Sequence, residues 1–229
     1  MTVREASEKC EILKSASPAS KAKIISYGML RKYRKNETIF RERETVESIF
    51  FVVDGYVALS KMNRNHDHKV VFVYGAGVLL NEVILEKNIA SITGYALGDV
   101  TVLAFSRKHF LEIMEEDFLF TRMILNSLAI KTRRLYHQLG NTSNAMVLEK
   151  QVASKLWKLG RDFGVREDAA IRIDFDMTIT FLADMVGSKR ETVSRVLKKL
   201  TELELISMKK NHFRIYDMDR LKEFVAEEK

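Results

Sequence analysis

The side chains best suited to chemistry lie on one short segment near the C-terminus. Four polar residues recur there at a spacing that places them on one face of a helix: Arg190, Glu191, Ser194 and Arg195. An arginine can donate two hydrogen bonds to O6 and N7 of a guanine, and a glutamate can accept one from N4 of a cytosine. These residue types in this pattern indicate a helix that reads the edges of DNA bases.

Further residues around that face can donate hydrogen bonds or bring positive charge to phosphates. They are Thr178, Thr180, Ser188, Lys189, Thr192, Lys198 and Lys199. Contacts to phosphate fix position rather than sequence, and the attraction of lysine for phosphate weakens with salt. Between Gly187 and Arg214 there are eight basic and three acidic residues, in a chain of 229 residues with a net charge of +7. This local excess suits a polyanionic partner.

The segment from Thr178 to Leu200 has the pattern of a helix-turn-helix. Thr178 can cap a first helix, Ala183 is small where two helices cross closely, and Gly187 suits the tight turn between them. On the second helix, apolar residues recur at three- and four-residue spacing and predict a buried face: Val193, Val196, Leu197 and Leu200.

Two apolar runs, 205–208 and 213–216, follow this helix and flank Lys209–His212. They predict a small hairpin, or wing, with a basic tip. A helical hairpin with a charged surface would give part of the same pattern, but the coincidence of turn, buried periodicity, readout face and wing favours a winged helix-turn-helix.

Short apolar runs separated by turn signals fill the chain from about Tyr33 to Phe105. Many short strands in series predict a barrel or a sandwich. Two of the runs, 49–53 and 56–59, are split by Asp54-Gly55, a pair typical of a turn, so we expect a hairpin there. Ser17-Pro18 predicts a helix start before this region.

A long helical segment without proline extends from Asp117 to Gly140, and residues 140–144 predict a hinge at its end. Beyond it we expect a helix over 146–163, a charged loop over 165–170 and a strand over 171–175. The long segment carries a heptad-like stripe: Leu125, Leu128, Thr132, Leu135 and Leu139. Such a stripe is found on dimerising helices and on helices that pack on their own domain, and periodicity alone does not distinguish them.

The sequence lacks the residues that several classes of function require. The sequence contains no paired carboxylates, nucleophile–base set or phosphate loop, so we expect no enzyme activity. The single cysteine, Cys10, cannot form an internal disulfide or by itself hold an iron–sulfur cluster. His66 and His68 flank Asp67 in a predicted turn, where we expect solvated histidines rather than metal ligands; no metal and no cofactor are predicted.

No apolar run approaches the roughly 20 residues needed to cross a bilayer, so no membrane partner is predicted. The segment Met1–Cys10 mixes charged and small residues and lacks the apolar stretch of a signal peptide. We therefore expect a cytoplasmic protein.

The run Arg190–Leu197 is similar to the recognition helix of the cyclic-AMP receptor protein/fumarate–nitrate regulator (CRP/FNR) family of bacterial transcription regulators, and residues 37–40 and 49–57 resemble the opening of its β-roll. The resemblance implies an α+β fold. Residues 1–116 would form a β-roll effector domain, a cupin-like double-stranded β-helix; 117–143 a dimerisation helix and hinge; and 144–229 a winged helix-turn-helix.

The same resemblance implies the partners. They are double-stranded DNA with a palindromic operator, a second copy of the chain joined along the stripe, and RNA polymerase. Arg190, Glu191 and Arg195 match the family's base-reading positions, as in the branch that reads TGTGA-like half-sites. Ser194 beside Arg195 also resembles the fumarate–nitrate branch, so a TTGA-like half-site stays open.

The effector pocket that the resemblance implies consists of Asn81, Glu82, Ala90, Ser91, Tyr136 and Gln138. Cyclic-nucleotide binders of the family have glycine before the glutamate and arginine before the serine, whereas Asn81 and Ala90 stand here. No arginine lies between Val83 and Tyr95, and Lys87 is the only nearby cation. Because a buried cyclic phosphate needs a fixed cation, we expect an unknown small-molecule effector other than cyclic AMP, or none.

Other functions remain open. The chain could be a cyclic-nucleotide-responsive regulator, a ligand-binding regulatory module whose basic helix pair docks on a protein, or a non-specific DNA-packaging protein. Arg190 and Glu191 at readout positions favour a sequence-specific regulator, because packaging needs charge but no base-reading acid.

Overall fold

A computed structural model describes residues 1–62, 68–143 and 147–226, without the side chains of residues 139–143. The chain divides into two units, one formed by Met1–Lys61 and Val71–Gly140 and the other by Met62–Val70 and Asn141–Lys229. The helices are α1 (Val3–Ser7), α2 (Glu11–Lys14), α3 (Pro18–Tyr27), α4 (Arg107–Glu116), α5 (Phe118–Ser143), α6 (Leu148–Phe163), α7 (Ile179–Val186), α8 (Arg190–Glu202) and α9 (Met218–Ala226). The strands are β1 (Met29–Tyr33), β2 (Thr38–Phe40), β3 (Ser48–Asp54), β4 (Val57–Met62), β5 (His68–Tyr74), β6 (Thr93–Ala96), β7 (Val100–Ser106), β8 (Gly164–Glu167), β9 (Ala170–Ile173), β10 (Ile206–Lys209) and β11 (His212–Ile215).

Two sheets form the first unit, with strand orders β1-β7-β3 and β2-β6-β4-β5. Every residue of β3 from Ile49 to Val53 is buried, which explains its unbroken apolar run. Its partner is β7, with Phe51 opposite Leu103. This β-roll, the long helix α5 and the C-terminal winged helix-turn-helix confirm the predicted fold class.

The Asp54-Gly55 turn does not close a hairpin, so that prediction is wrong. Since β3 and β4 belong to different sheets, the turn carries the chain from one sheet to the other. Gly55 has a φ of +80°, and a Cβ at this position would clash with the carbonyl oxygen of Asp99. An Asp-Gly pair specifies a tight turn, but long-range packing decides which strands pair.

An aromatic cluster packs α4 and α5 onto the β-roll. Phe51 of β3 and Phe110 of α4 have ring centroids 6.0 Å apart, and Phe110 and Phe120 of α5 lie 5.3 Å apart. The helix α5 stays helical through Gly140, so the predicted hinge does not begin there, and Asn144 lies outside the described residues. One internal glycine costs about 1 kcal/mol relative to alanine, too little to end a helix of 26 residues.

The second unit contains a sheet of order β10-β11-β9-β8 and the helices α6 to α9. The predicted loop over 165–170 is wrong at its start, because β8 extends to Glu167 and pairs with β9. As an edge strand, β8 tolerates the charged side chains that suggested a loop.

The close packing of α6 requires Gly160, where a Cβ would lie 2.5 Å from Cδ1 of Ile215.

Within the described ranges, no helix combines the length and the hydropathy needed to span a membrane.

Candidate DNA-binding surface and effector site

The helices α7 and α8 form the predicted helix-turn-helix. Thr178 caps α7, with its side-chain oxygen accepting a hydrogen bond from the backbone N–H of Phe181 at 3.1 Å. Gly187 ends the helix at a φ of +69°, a left-handed conformation that favours glycine. The carbonyl of the buried Ala183 accepts hydrogen bonds from the N–H groups of Gly187 and Ser188. The turn thus satisfies its own backbone, and α8 begins three residues beyond the glycine.

The helix α8 buries one face and exposes the other. The buried residues are those predicted, Val193, Val196, Leu197 and Leu200. The predicted base-reading residues are all exposed: Arg190, Glu191, Ser194 and Arg195. At about 100° per residue they span about 140° of the helix circumference. Among the described residues none of the four forms an ion pair, so these side chains are available to a partner.

Lysines and hydroxyl groups surround this face. Lys189 and Lys198 are exposed, and Nζ of Lys198 lies 3.9 Å from Glu202. Lys199 differs, because its Nζ lies 2.6 Å from Oε2 of Glu149 on α6. The hydroxyl-bearing residues predicted to contact phosphate are exposed or half-buried: Thr178, Thr180, Ser188 and Thr192.

The predicted wing is the hairpin of β10 and β11. Its two turn residues, Lys210 and Asn211, have φ values of +48° and +63°, as in the tight turns that match strand twist. Lys209 and Lys210 are exposed and make the tip basic. Nη2 of Arg214 lies 2.9 Å from Oε2 of Glu167, so the charge of this arginine is balanced within the sheet.

In the first unit, the buried carboxylate of Glu82 already has a cation. Nζ of Lys131 on α5 lies 2.6 Å from Oε2 of Glu82, and the hydroxyl of Ser127 donates to Oε1 at 3.2 Å. Lys131 also donates to the carbonyl of Leu79 at 2.5 Å and lies 4.7 Å from the centroid of the Tyr74 ring. Burial lowers the pKa of the Lys131 ammonium, and the Glu82 carboxylate acts in the opposite direction.

The prediction that Lys87 is the only cation near Glu82 is therefore wrong. Lys87 is exposed and lies 3.4 Å from Glu86. Lys131 was missed because it lies 49 residues from Glu82 along the chain. A signal was present, since Phe120 and Ile124 of α5 are apolar and Lys131 follows Ile124 by two helical turns on the same side. A lysine on a buried helical face needs an acidic partner.

The remaining residues of the predicted effector pocket have separate environments. Asn81 is buried and bonded to the backbone of β3, and Ala90 is buried with its N–H donating to the carbonyl of Glu44. Ser91 and Tyr136 are exposed. The side chain of Gln138 donates to the carbonyl of Val71 at 3.0 Å. Contact of any of these residues with an effector stays a prediction.

The residues considered for redox or metal chemistry are placed as follows. The Cys10 thiol is buried, and burial raises its pKa to about 11, which leaves little of the reactive thiolate near neutral pH. His66 and Asp67 lie outside the described residues, and His68 begins β5. In the part of the chain that the structure describes, no three histidine, cysteine or acidic side chains are grouped as metal ligands.

The predicted dimer stripe lies on a face of α5 that the β-roll leaves uncovered. Leu125 is 55 % exposed and Leu135 42 %, Thr132 is exposed and Leu128 is half-buried. The side chain of Leu139 lies outside the described set. Phe120, Ile124 and Lys131 occupy the face that packs on the β-roll, roughly a quarter-turn away at about 100° per residue.

Comparison with known proteins matches both units to family models. A model described as a Crp-like helix-turn-helix domain matches residues 150–224, and one described as a cyclic nucleotide-binding domain matches residues 30–117.

Individual proteins match most of the chain. A CRP-like cAMP-activated global transcriptional regulator of Mycobacterium tuberculosis is 21% identical over 211 residues, covering 92% of this chain and 94% of that protein. The cyclic AMP receptor protein of Thermus thermophilus is 27% identical over 179 residues, covering 78% and 79%. The solved structure of FixK2 from Bradyrhizobium japonicum has a TM-score of 0.75 at 20% identity and covers 88% of this chain and 99% of that one, which shows a shared fold.

The second helix of the winged helix-turn-helix exposes a polar face, and the chain also contains a domain of the cyclic nucleotide-binding type. This combination defines a DNA-binding transcription regulator rather than an enzyme. The chain belongs to the CRP/FNR family of transcription regulators.

Proposed function

We propose that this regulator binds DNA as a homodimer. The observation that carries the proposal is the row of exposed leucines on α5, since Leu125 and Leu135 leave apolar surface in water on a face that the β-roll does not cover. A second copy of α5 packed along this stripe would bury it. Two α8 helices related by a two-fold axis would read a palindrome whose half-site centres lie about 34 Å apart.

Within each half-site, Arg190, Glu191 and Arg195 would contact bases, with Ser194 beside them. The exposed lysines and hydroxyls around α8 and the basic wing tip would contact phosphates. RNA polymerase is the further partner that we propose at promoters. The exposure of the whole readout face of α8 supports the base contacts.

Selection of random duplex DNA on the purified full chain tests this function. We expect a palindrome with TGTGA-like or TTGA-like halves. Single, non-palindromic sites would contradict the dimer geometry. Binding that follows charge alone would favour packaging, and failure to enrich any DNA would favour docking of the basic helices on a protein.

We further propose that the effector is not cyclic AMP. The Glu82 carboxylate is engaged by Lys131, and Ala90 stands where the family's cyclic-nucleotide binders have arginine. A cyclic phosphate would therefore lack a bidentate cationic partner inside the β-roll. The names of the relatives from Mycobacterium tuberculosis and Thermus thermophilus favour the alternative, a cyclic-nucleotide-responsive regulator.

Calorimetry of the full chain with cyclic AMP and cyclic GMP separates these two candidates. We expect no heat of binding at micromolar nucleotide. Micromolar binding of either nucleotide, accompanied by tighter operator binding, would establish the alternative.

A further inference from the structure

Residues 79–85, which contain Glu82, are fixed to the wall of the β-roll. The side chain of Asn81 accepts a hydrogen bond from the backbone N–H of Phe50 at 3.0 Å and donates to the carbonyl of Ser48 at 2.9 Å. The guanidinium of Arg107 donates to the carbonyls of residues 84 and 85, each at 2.8 Å. Contacts at both ends therefore hold this segment independently of α5.

Lys131 attaches α5 to this fixed segment. Its Nζ contacts the carboxylate of Glu82 and the carbonyl of Leu79. The side chain of Lys131 is 15 % exposed and that of Glu82 is 2 % exposed. A buried, hydrogen-bonded ion pair resists separation, because either charge left alone in the protein would be uncompensated. Rotation or sliding of α5 along the β-roll would require breaking this pair.

A ligand shifts a conformational equilibrium only through contacts that differ between the two states. Because α5 connects the β-roll to the DNA-binding unit along the chain, the relevant contact is the one that joins the β-roll to this helix. Here Lys131, a residue of α5 itself, supplies the contact, and it leaves the carboxylate of Glu82 saturated by the ammonium and by Ser127.

We propose that the Glu82–Lys131 ion pair takes the place of an effector and holds α5 in its DNA-binding arrangement with no small molecule bound. The inference rests on the proposed DNA-binding dimer and specifies its regulation. The folded regulator then binds its operator without a ligand, and the fraction of operator that is bound follows the concentration of the protein in the cell.

The test uses the full chain and the operator obtained by selection. Operator affinity is measured by fluorescence anisotropy for the wild type, Glu82→Gln, Lys131→Met and the exchange Glu82→Lys with Lys131→Glu. Thermal unfolding and sedimentation of each variant report folding and assembly. Lys87→Met is the matched control, since Lys87 is an exposed lysine near Glu82 in sequence. Mass spectrometry of the denatured wild type reports any copurified small molecule.

We expect the wild type to bind its operator without added ligand and to release no stoichiometric small molecule. Each single variant, while folded and dimeric, should lose about tenfold or more in operator affinity, in the range of typical couplings between sites. The exchange should recover part of that loss, and Lys87→Met should change nothing.

Folded single variants with wild-type affinity would overturn the proposal, as would a stoichiometric copurified ligand. Failure of all three variants to fold would also overturn it, because the pair would then serve the folding core rather than the position of α5. If the wild type enriches no operator, or is a monomer, it is the proposed function that fails.

Discussion

Nζ of Lys199 on α8 lies 2.6 Å from Oε2 of Glu149 on α6, so a lysine predicted to contact phosphate already has an acidic partner. Both side chains are partly exposed, and such a pair contributes about 1 kcal/mol or less to stability. We expect Glu149→Ala to raise affinity for operator and for random DNA by the same factor, several-fold at low salt, because it removes a negative charge and releases the lysine toward phosphate.

Anisotropy titrations over a range of salt concentrations measure this effect, and the slope of log affinity against log salt should steepen by about 1. Glu223→Ala, the same change on an exposed residue of α9, is the control and should leave both affinities unchanged. A gain confined to the operator would contradict this account, because it would mean that the pair holds α8 away from its base-reading position.

The second prediction compares two exposed cations of α8. Arg195→Ala should weaken binding to the operator by about 1–3 kcal/mol more than it weakens binding to random DNA, because it removes a bidentate base contact as well as a charge. Lys198→Ala removes a charge from the same face and should weaken both DNAs by equal factors. Equal losses for Arg195→Ala on operator and random DNA would refute the readout assignment.

The third prediction concerns the stripe on α5. Leu128→Glu would place an unpaired charge in an apolar interface, so sedimentation should show a monomer and operator binding should be lost. Ile130→Glu is the matched control, since this exposed residue lies about 160° around the helix from Leu128 at about 100° per residue. A dimeric Leu128→Glu protein would move the interface elsewhere.

The fourth prediction concerns Asp117, which accepts hydrogen bonds from the backbone N–H groups of Phe120 at 3.0 Å and Ser17 at 2.7 Å. Burial opposes ionisation of this carboxyl, but the hydrogen bonds outweigh it and lower its pKa from 3.8 to about 2. A carboxylate with a lowered pKa stabilises the fold fully above its ordinary pKa, and this contribution is lost as the pH falls from about 4 toward 2.

We therefore expect Asp117→Asn to lower the free energy of unfolding at pH 7 by about 1–2 kcal/mol, because the amide keeps one accepting oxygen for the cap and loses the charge and the second hydrogen bond. The mutant should also lose stability less steeply than the wild type between pH 4 and 2. Urea denaturation at a series of pH values measures both effects, with exposed Asp99→Asn as the control. Parallel pH profiles for wild type and Asp117→Asn would contradict the account.

The sequence predicted the DNA-binding half well because its signals are local. The cap at Thr178, the positive φ at Gly187 and the apolar spacing of α8 all act within a few residues, and each has the predicted geometry. The two apolar runs that flank Lys209–His212 likewise predicted the wing. Each of these signals lies within a few residues along the chain, so the sequence alone is enough to predict it.

Long-range partners were the part that the sequence did not reveal. The Asp54-Gly55 turn looked like a hairpin, but β3 pairs with β7, about 50 residues away. The partner of Glu82 was sought among its neighbours and lies 49 residues away on α5. Spacing along a chain reports the face on which a residue lies, and only packing decides what that face meets.

The two faces of α5 belong to one rigid helix and therefore move together. Its inner face carries Phe120 and Lys131, and its outer stripe carries Leu125 and Leu135, roughly a quarter-turn apart at about 100° per residue. With side-chain tips about 5 Å from the axis, a twist of about 20° shifts every tip on both faces by about 2 Å. A substitution on the inner face that rotates α5 would therefore change how the two α5 helices of the proposed dimer pack, with every residue of the outer stripe unchanged.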